Sequence, residues 1–446
     1  MRKSTTIWML TLLLSFAAAQ AQQMADGPIR LTLDECIRIA LNENPTIKVD
    51  SMEIERVHYA LKEVKGQLLP QINATGQYTR NLALQTMYMD PGNGEVVGIK
   101  MGRDNTYSAG FSATLPIVVP QLWRNIKLNE NQILQNIEKA RANKLSLVNQ
   151  VKNAYYALLL AADTKRVIEQ NHSTAQEHAS IYQKQFELGT ASEYDVLRAN
   201  VAVTNLEPSI LEAANSVELL KLQLKVLMGM DARLEIEPRQ KLDDFKALMY
   251  DNTLRTDTSL VNNTTLKTLD LQTDYLNKVV KVQKAAWFPT LSATGNLMWH
   301  SMGNGSPFEN FRWTKSSAVG LTLAWPVFTG FQRTNKIKQA QIQAREMTWQ
   351  RENAQRSLHM QVQSQVDNIR KSIKQIESNA GGVTQAEKAS DIMQKSFKVG
   401  AASFIQLRDT DDALMNARLS YYQAIYDYLV AESNLELVLG NTPYAN

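Results

Sequence analysis

The sequence predicts a mainly α-helical chain that also carries four transmembrane-type β-strands, built from one unit written twice. Three observations predict it: words that return at matched spacing, ten-residue segments of alternating polarity, and very long stretches without helix breakers. LLPQINATG (68–76) returns as WFPTLSATG (287–295), ATLPIVV (113–119) as LAWPVFT (323–329), FELGTAS (186–192) as FKVGAAS (397–403), and LKVLMG (224–229) as LELVLG (435–440). Pro116 to Gly189 is 73 residues and Pro326 to Gly400 is 74, while Gly189 to Gly229 and Gly400 to Gly440 are both 40. Equal spacing of this kind implies one duplicated structural unit rather than two unrelated domains.

The N-terminus comes first. Arg2 and Lys3 precede the apolar run 7–19, and Ala19-Gln20-Ala21 fits a small-x-small cleavage site. Residues 1–21 are expected to be a secretory signal peptide. The run is too short to span a bilayer, and no second apolar run of spanning length follows, so no transmembrane helix is expected in the mature chain. The first repeat is expected over 22–229, a connecting segment over 230–258, the second repeat over 259–440 and a short tail over 441–446. The single cysteine, Cys36, excludes an intrachain disulfide framework and reads as a small apolar residue on a helix face.

Each repeat opens with helix signals. Thr32 and Glu35 form a capping box at the start of 31–45, Pro45 closes that run, and a further helix over 46–66 ends at Gly66; 260–285 plays the same part in the second repeat. Strands follow, at about 70–80 and 105–117, then about 289–299 and 316–326. Ile72, Ala74, Gly76 and Tyr78 share one face of the first, with Tyr107, Ala109, Phe111, Ala113 and Leu115 on one face of the second. Leu291, Ala293, Gly295, Leu297 and Trp299 repeat the pattern, as do Val319, Leu321, Leu323 and Trp325. The opposite faces of the first pair hold Gln, Asn, Thr, Ser and Gly. Strands apolar outside and small-polar inside are the mark of a membrane barrel with a wet interior, and the aromatic residues at their ends suit an interfacial girdle. Segments 80–104 and 300–315 read as exposed loops.

From Gln121 to Leu188 there are 68 residues without proline or glycine, about 100 Å if helical throughout. Every seventh residue from Ile133 through Ala140, Leu147, Ala154, Ala161, Ile168 and Ala175 to Tyr182 is apolar or aromatic, which indicates coiled-coil packing. In the second repeat a long helix over 331–396 shows Val362, Val366, Ile369, Ile373 and Ile376 at the same seam spacing, with Gly381 and Gly382 marking a local weakness. Return helices are expected over 192–228, kinked at Pro208, and over 403–439.

Four membrane strands cannot close a barrel, and an open sheet edge in lipid leaves unpaired N–H and C=O groups at several kcal/mol each. The chain must therefore oligomerise; two copies would give eight strands and three would give twelve. The long helices would continue the cylinder away from the membrane as a coiled-coil helical tunnel.

These residues resemble the outer-membrane efflux (TolC-like) family. The resemblance runs from LTLDECIRIALNENPTIK (31–48) to LELVLG (435–440), and its most specific pieces are the strand-to-helix exit WPVFTGFQR (325–333) and the tips FELGTASEYDVLRA (186–199) and FKVGAASFIQLRD (397–409). It implies a homotrimer with a twelve-stranded β-barrel in the outer membrane and a periplasmic helical tunnel. Helix-turn-helix tips would dock a periplasmic adaptor (membrane fusion) protein beneath an inner-membrane transporter, in an efflux or type I secretion system.

The tips carry the candidate residues. Gly189 and Gly400 supply the turn, and Ser192 with Asp195 and Ser403 with Gln406 read as capping boxes for the return helices; Gly189, Ser192, Gly400 and Ser403 are candidates for adaptor docking. The resemblance implies a closing latch from an Asp on the first tip to a Tyr and an Arg on the second. Asp195 matches the Asp, but Phe397 and Ala402 stand where the Tyr and Arg would be. The family's acidic lumen ring falls on Gln406 and Asp409, so that Asp409 in three copies would favour cations; Asp411 and Asp412 read as solvated charges nearby.

Other classes find less support. With 48 basic against 44 acidic residues and no basic block, nothing points to nucleic acid. Met87, Met89 and Met101, with His300 and Met302, lie in presumed outer loops, and thioethers suit soft metals, but scattered loop methionines do not make a site. His172, Glu177 and His178 share a helix with no third ligand or nucleophile beside them, so neither catalysis nor a cofactor is expected. A periplasmic coiled-coil scaffold without a pore would explain the helices but leave the lipid-type strands without a purpose.

Overall fold

The computed structural model describes residues 28–90, 92, 94–249, 258–306, 312–442 and 444. The expected signal peptide, 1–21, lies outside the described residues, as do 250–257 of the connecting segment, 307–311 of the second outer loop and part of the tail. The chain divides into two compact units, each drawing on both repeats: Ser51–Lys139 with Thr265–Ala354, and the remainder.

The first unit holds a four-stranded antiparallel sheet built from β2 (Gln71–Arg80), β5 (Asn105–Val118), β7 (Thr290–Gly303) and β8 (Thr314–Ala324), in the order β2-β5-β7-β8. The first two strands come from one repeat and the last two from the other. Their register sets Ile72 opposite Ala113, Ala113 opposite Gly295 and Gly295 opposite Val319, so the apolar faces read from the sequence merge into one. Tyr78 stacks on Tyr107 at 4.9 Å between centroids, and Phe111 meets Trp299 edge-on at 6.4 Å. On the opposite face Gly110 is required by space, since a Cβ there would lie 2.4 Å from the Leu297 carbonyl oxygen. β2 and β8 are the outer strands, and both are exposed along their whole length. Val319, Leu321 and Leu323 along one face of β8 are 91%, 70% and 67% exposed, a contiguous apolar surface of the kind that meets lipid or another protein.

Between β2 and β5 the structure departs from the expected loop. Residues 80–104 contain a hairpin, β3 (Gln85–Met89) with β4 (Val97–Met101). The alternation of Met87 and Met89, and of Val97, Ile99 and Met101, specifies it, and Gly92 and Gly94 between the strands both adopt positive φ. At the inner end of β8 the exit motif acquires a physical account. Gly330 and Phe331 both adopt positive φ (58° and 63°), reversing the chain into the next helix. Arg333 then ties the reversal down: it donates to Thr329, to the Ala286 carbonyl at 3.2 Å and to the Pro326 carbonyl, and its guanidinium lies 4.4 Å from the Trp287 ring centre.

The second unit is mainly helical, and residues 51–66, 120–139, 265–285 and 332–354 of the helices named below belong to the first. α1 (Leu33–Glu43) starts at the Thr32–Glu35 capping box. Pro45, expected only to end this run, also begins α2 (Pro45–Gly66), because a first-turn position needs no N–H. α3 (Pro120–Glu187) and α7 (Gln332–Lys398) are the long helices. α7 runs unbroken through Gly381 and Gly382, with Ile376 buried and Asn379 bonded to the Ser420 carbonyl on either side of the seam. The first return helix is interrupted rather than kinked. α4 (Glu193–Thr204) ends at Asn205, and α5 (Glu207–Met228) restarts with Pro208 in its first turn. The second, α8 (Phe404–Leu439), is continuous. A parallel strand pair, β1 (Ile29–Leu31) with β6 (Ile236–Pro238), and a 3-10 helix at Leu242–Leu248 complete the unit. α6 (Thr264–Ala285) leads into β7.

Both repeats close in the same way. Asn44 donates to the Leu227 carbonyl and Asn263 to the Val438 carbonyl, so that the last turn of each return helix rests on the start of its own repeat. Gly229 and Gly440 end α5 and α8 in left-handed conformations (φ 66° and 71°). The core collects Tyr155 and Tyr428, both fully buried, with Val151, Leu158, Met228 and Ile425. Cys36 joins them as expected of a small apolar residue, and burial pushes its thiol up to about 12.

Glu432 on α8 is partly buried near Glu436, which is itself bonded to Lys152 at 2.5 Å. Burial first, then the Glu436 charge, raises the Glu432 carboxyl to about 7. A raised carboxyl favours folding only while protonated, so this residue costs stability progressively as pH rises from the ordinary carboxylate range toward 7. Glu432→Gln is expected to stabilise the protein at pH 8 by on the order of 2 kcal/mol and to have little effect at pH 4, as read from thermal unfolding at the two pH values.

Candidate functional site

The two tips are built alike. After α3, Gly189 turns the chain at φ 72°, and the Thr190 N–H returns to the Gln185 carbonyl at 2.8 Å. After α7, Gly400 does so at φ 76°, and the Ala401 N–H returns to the Ser396 carbonyl at 2.8 Å. These bonds satisfy carbonyls that the helix end would otherwise leave open. Each turn leads into a capping box. The Ser192 hydroxyl accepts from the Asp195 N–H, while the Asp195 carboxylate accepts from the Ser192 N–H and hydroxyl. Ser403 and Gln406 repeat the arrangement with the amide oxygen in place of the carboxylate. Asp195 and Gln406 are thus both engaged in starting helices.

Phe397 does not stand out from the tip. It is buried in an apolar cluster with Tyr182, Val196, Ala199, Phe404 and Leu407, and Ala402 packs against the same cluster. Tyr182 lies 5.6 Å from Phe397 and 5.2 Å from Phe404 between centroids. Burial, and after it the negative charge of Asp195, holds the Tyr182 phenol above its usual range. The second tip therefore meets the first through aromatic packing where a Tyr and an Arg would supply hydrogen bonds. Gly189, Ser192, Gly400, Ser403, Gln406 and Asp409 are exposed, which leaves the docking candidates and one carboxylate on the surface.

Just behind this cluster lies a group that sequence reasoning missed. His178 on α3 bonds through Nε2 to Asp411 Oδ2 at 3.0 Å, and Ser390 on α7 donates to Asp411 Oδ1 at 2.8 Å. All three residues are buried. Asp411 was expected to be solvated. Yet Phe404, Leu407, Asp411 and Leu414 step by three, four and three along α8, which places the aspartate on the helix's apolar seam. Because a carboxylate only accepts, the His178 hydrogen sits on Nε2. Nδ1 is enclosed without a partner, as is His172 Nε2 elsewhere on α3.

No group of three or more His, Cys, Asp or Glu among the described residues is placed to hold a metal ion. No helix among them is long and apolar enough to cross a membrane. A family model described as "Outer membrane efflux protein" matches residues 36–230 and again 256–441. The chain belongs to that family. The two separate matches follow the internal duplication. The channel is 23% identical over 411 residues to the outer membrane protein TolC of Escherichia coli, covering 89% of this chain and 80% of that one. It is also 23% identical over 429 residues to the alkaline protease secretion protein AprF of Pseudomonas aeruginosa, covering 94% and 86%. Among solved structures CusC superposes with a TM-score of 0.74 at 15% identity, covering 94% of this chain and 96% of that one.

The family places this chain in the cell outer membrane as a channel. Its sheet supplies four strands of a barrel that closes only in a trimer, and β2 and β8 are the edges that this sheet leaves open. A scaffold without a pore would leave that exposed apolar sheet without a role.

Proposed function

We propose that the channel is a passive exit duct whose tips dock a periplasmic adaptor beneath an inner-membrane transporter, for efflux or type I secretion. The relatives carry both kinds of name, and one duct serves either because the partners supply the energy and select the cargo. The observation that carries this reading is the pair of matched helix-turn-helix tips, with Gly189, Ser192, Gly400 and Ser403 exposed on their turns. Partner contact at such turns needs no chemistry from the duct, and relatives of this chain are channel proteins rather than enzymes.

Asp195, Phe397, Gln406 and Asp409 are proposed to shape the periplasmic opening in different ways. Asp195 and Gln406 hold the return helices at their starts, and Phe397 packs one tip onto the other. Asp409, exposed on α8, is the charge left for the lumen, and in three copies it would form an acidic ring that prefers cations. Reconstitution in planar bilayers tests the reading. The wild type should form discrete cation-preferring pores, and Asp409→Ala should shift the reversal potential toward non-selectivity. Absence of pores would overturn the duct, and an unchanged reversal potential would remove Asp409 from the lumen.

A further inference from the structure

In the unit that holds the sheet, helices and strands follow one order. α2 precedes β2, α3 follows β5, α6 precedes β7 and α7 follows β8. Contacts between the helices repeat the order of the strands. Val57 and Leu61 of α2 pack with Ile133 of α3, Asn131 of α3 donates to Asp274 of α6 at 2.8 Å, and Arg351 of α7 donates to Asp270 of α6. α2 and α7 are therefore the outer helices of this row, as β2 and β8 are its outer strands.

Each outer helix carries an apolar stripe that its own copy does not cover. Met52 and Tyr59 on α2 are 67% and 59% exposed, and Ile342 and Trp349 on α7 are 54% and 70% exposed. Within each pair the residues are two turns apart and share a face. On α2 that face lies about 140–180° around the helix from Val57 and Leu61, which meet α3. On α7 it lies about 140–180° from buried Ala340 and from Arg351, which reaches α6. Both stripes thus point away from the neighbours within the copy. Lipid does not reach them all: Trp349 lies about 26 Å along α7 from its start at Gln332, and a headgroup layer is only about 5–8 Å thick. An exposed indole there, in line with an exposed isoleucine, marks a protein contact.

The two stripes also match in level. Tyr59 and Met52 lie about 11 and 21 Å back from the end of α2 beside the sheet, while Ile342 and Trp349 lie about 15 and 26 Å down α7 from the sheet. Between the apolar residues stand Glu55 on α2 and Arg345 on α7, both exposed, at about 17 and 20 Å. The helices run in opposite directions, which puts these opposite charges on the same flank. We propose that the seam between copies continues from the strands into the helices, an inference that rests on closure of the sheet in a trimer. α2 of one copy lies antiparallel to α7 of the next, with Tyr59 against Ile342, Met52 against Trp349 and Glu55 beside Arg345. The contact joins two different surfaces head to tail, as a closed ring requires.

Cysteine crosslinking in outer membranes tests it, and the chain is suited to the test because its own cysteine, Cys36, is fully buried. Tyr59→Cys combined with Ile342→Cys should form oxidised dimers and trimers on a non-reducing gel. Their yield should be several times that of His58→Cys combined with Ile342→Cys, in which the thiol is equally exposed but turned about 100° around α2. In the detergent-extracted trimer, Trp349→Cys should react with a maleimide several times more slowly than Gln350→Cys. Equal crosslinking from Tyr59→Cys and His58→Cys would overturn the seam. So would a Trp349→Cys thiol as reactive as Gln350→Cys, which would leave this face of the trimer open to another protein. The unheated trimer band of each variant separates a lost contact from failed assembly, and absence of that band from the wild type would remove the ring itself.

Discussion

Gly440→Ala is expected to destabilise the channel by roughly 2–4 kcal/mol, while Gly400→Ala, at nearly the same backbone angle, costs about 1 kcal/mol. Both glycines lie in the left-handed region, φ 71° and 76°, so the conformational penalty for an L side chain is shared. Their surroundings differ. A Cβ at Gly440 would fall 2.1 Å from the Asn262 carbonyl oxygen and 2.7 Å from its carbon, whereas at Gly400 nothing lies within 4 Å. Backbone atoms cannot swing aside like the end of a side chain, so α8 or the start of the second repeat must move. The same turn is braced by Arg141, which donates to the Asn262 and Gly440 carbonyls at 3.1 and 3.0 Å, so movement there breaks further bonds. Gly229, where a Cβ would meet the Glu43 carbonyl oxygen at 2.7 Å, should fall between the two. Heat-induced dissociation and unfolding, measured at one protein concentration for all four proteins, gives the order directly. A Gly440 variant as stable as the Gly400 variant would refute the steric account.

That pair of glycines also shows what the sequence makes legible. The repeated words could be aligned because each repeat must solve the same closing problem, and glycine is what the solution demands. The sheet was readable for a similar reason: in lipid an alternating strand has no alternative use, so Ile72, Phe111, Leu297 and Val319 declare their faces. The capping boxes of Ser192 and Ser403 were readable because they are local, involving residues three apart. What escaped depends on contacts between distant segments or on small surplus elements. The β3–β4 hairpin hid in a stretch whose Gly and Asn resembled loop composition. The interruption at Asn205 needed knowledge of where Pro208 falls in a new helix. Phe397 could be placed at the tip, but its burial beneath Tyr182 and Phe404 follows from how four helices meet. His178 and Asp411, more than two hundred positions apart, could not be joined by any local rule.

Removing either side of that pair carries the second large effect. His178→Ala leaves the Asp411 side chain buried with the Ser390 hydroxyl as its remaining donor, and leaving a buried acceptor without its partner costs about 1–3 kcal/mol. Asp411→Leu is expected to cost less, because it removes the charge together with its acceptor and leaves one imidazole N–H unpaired. Clefts of about 320 and 210 Å³ flank the pair, and Asp411 lines both, so water can enter and soften each loss. The surrounding charges do not substitute for the missing partner. Arg418 is held by Glu387 at 2.8 Å, Arg408 lies 3.6 Å from Asp412, and Lys395 pairs with Asp391 at 2.7 Å. Replacing both members by apolar residues, His178→Phe with Asp411→Leu, should therefore recover most of the stability lost by His178→Ala, since a packed apolar pair needs no hydrogen-bond partners. Strictly additive losses in that cycle would show that the two residues act separately. A recovered double variant that folds and assembles, yet has altered pore open times in bilayers, would separate the pair's contribution to holding the tip helices together from its contribution to packing.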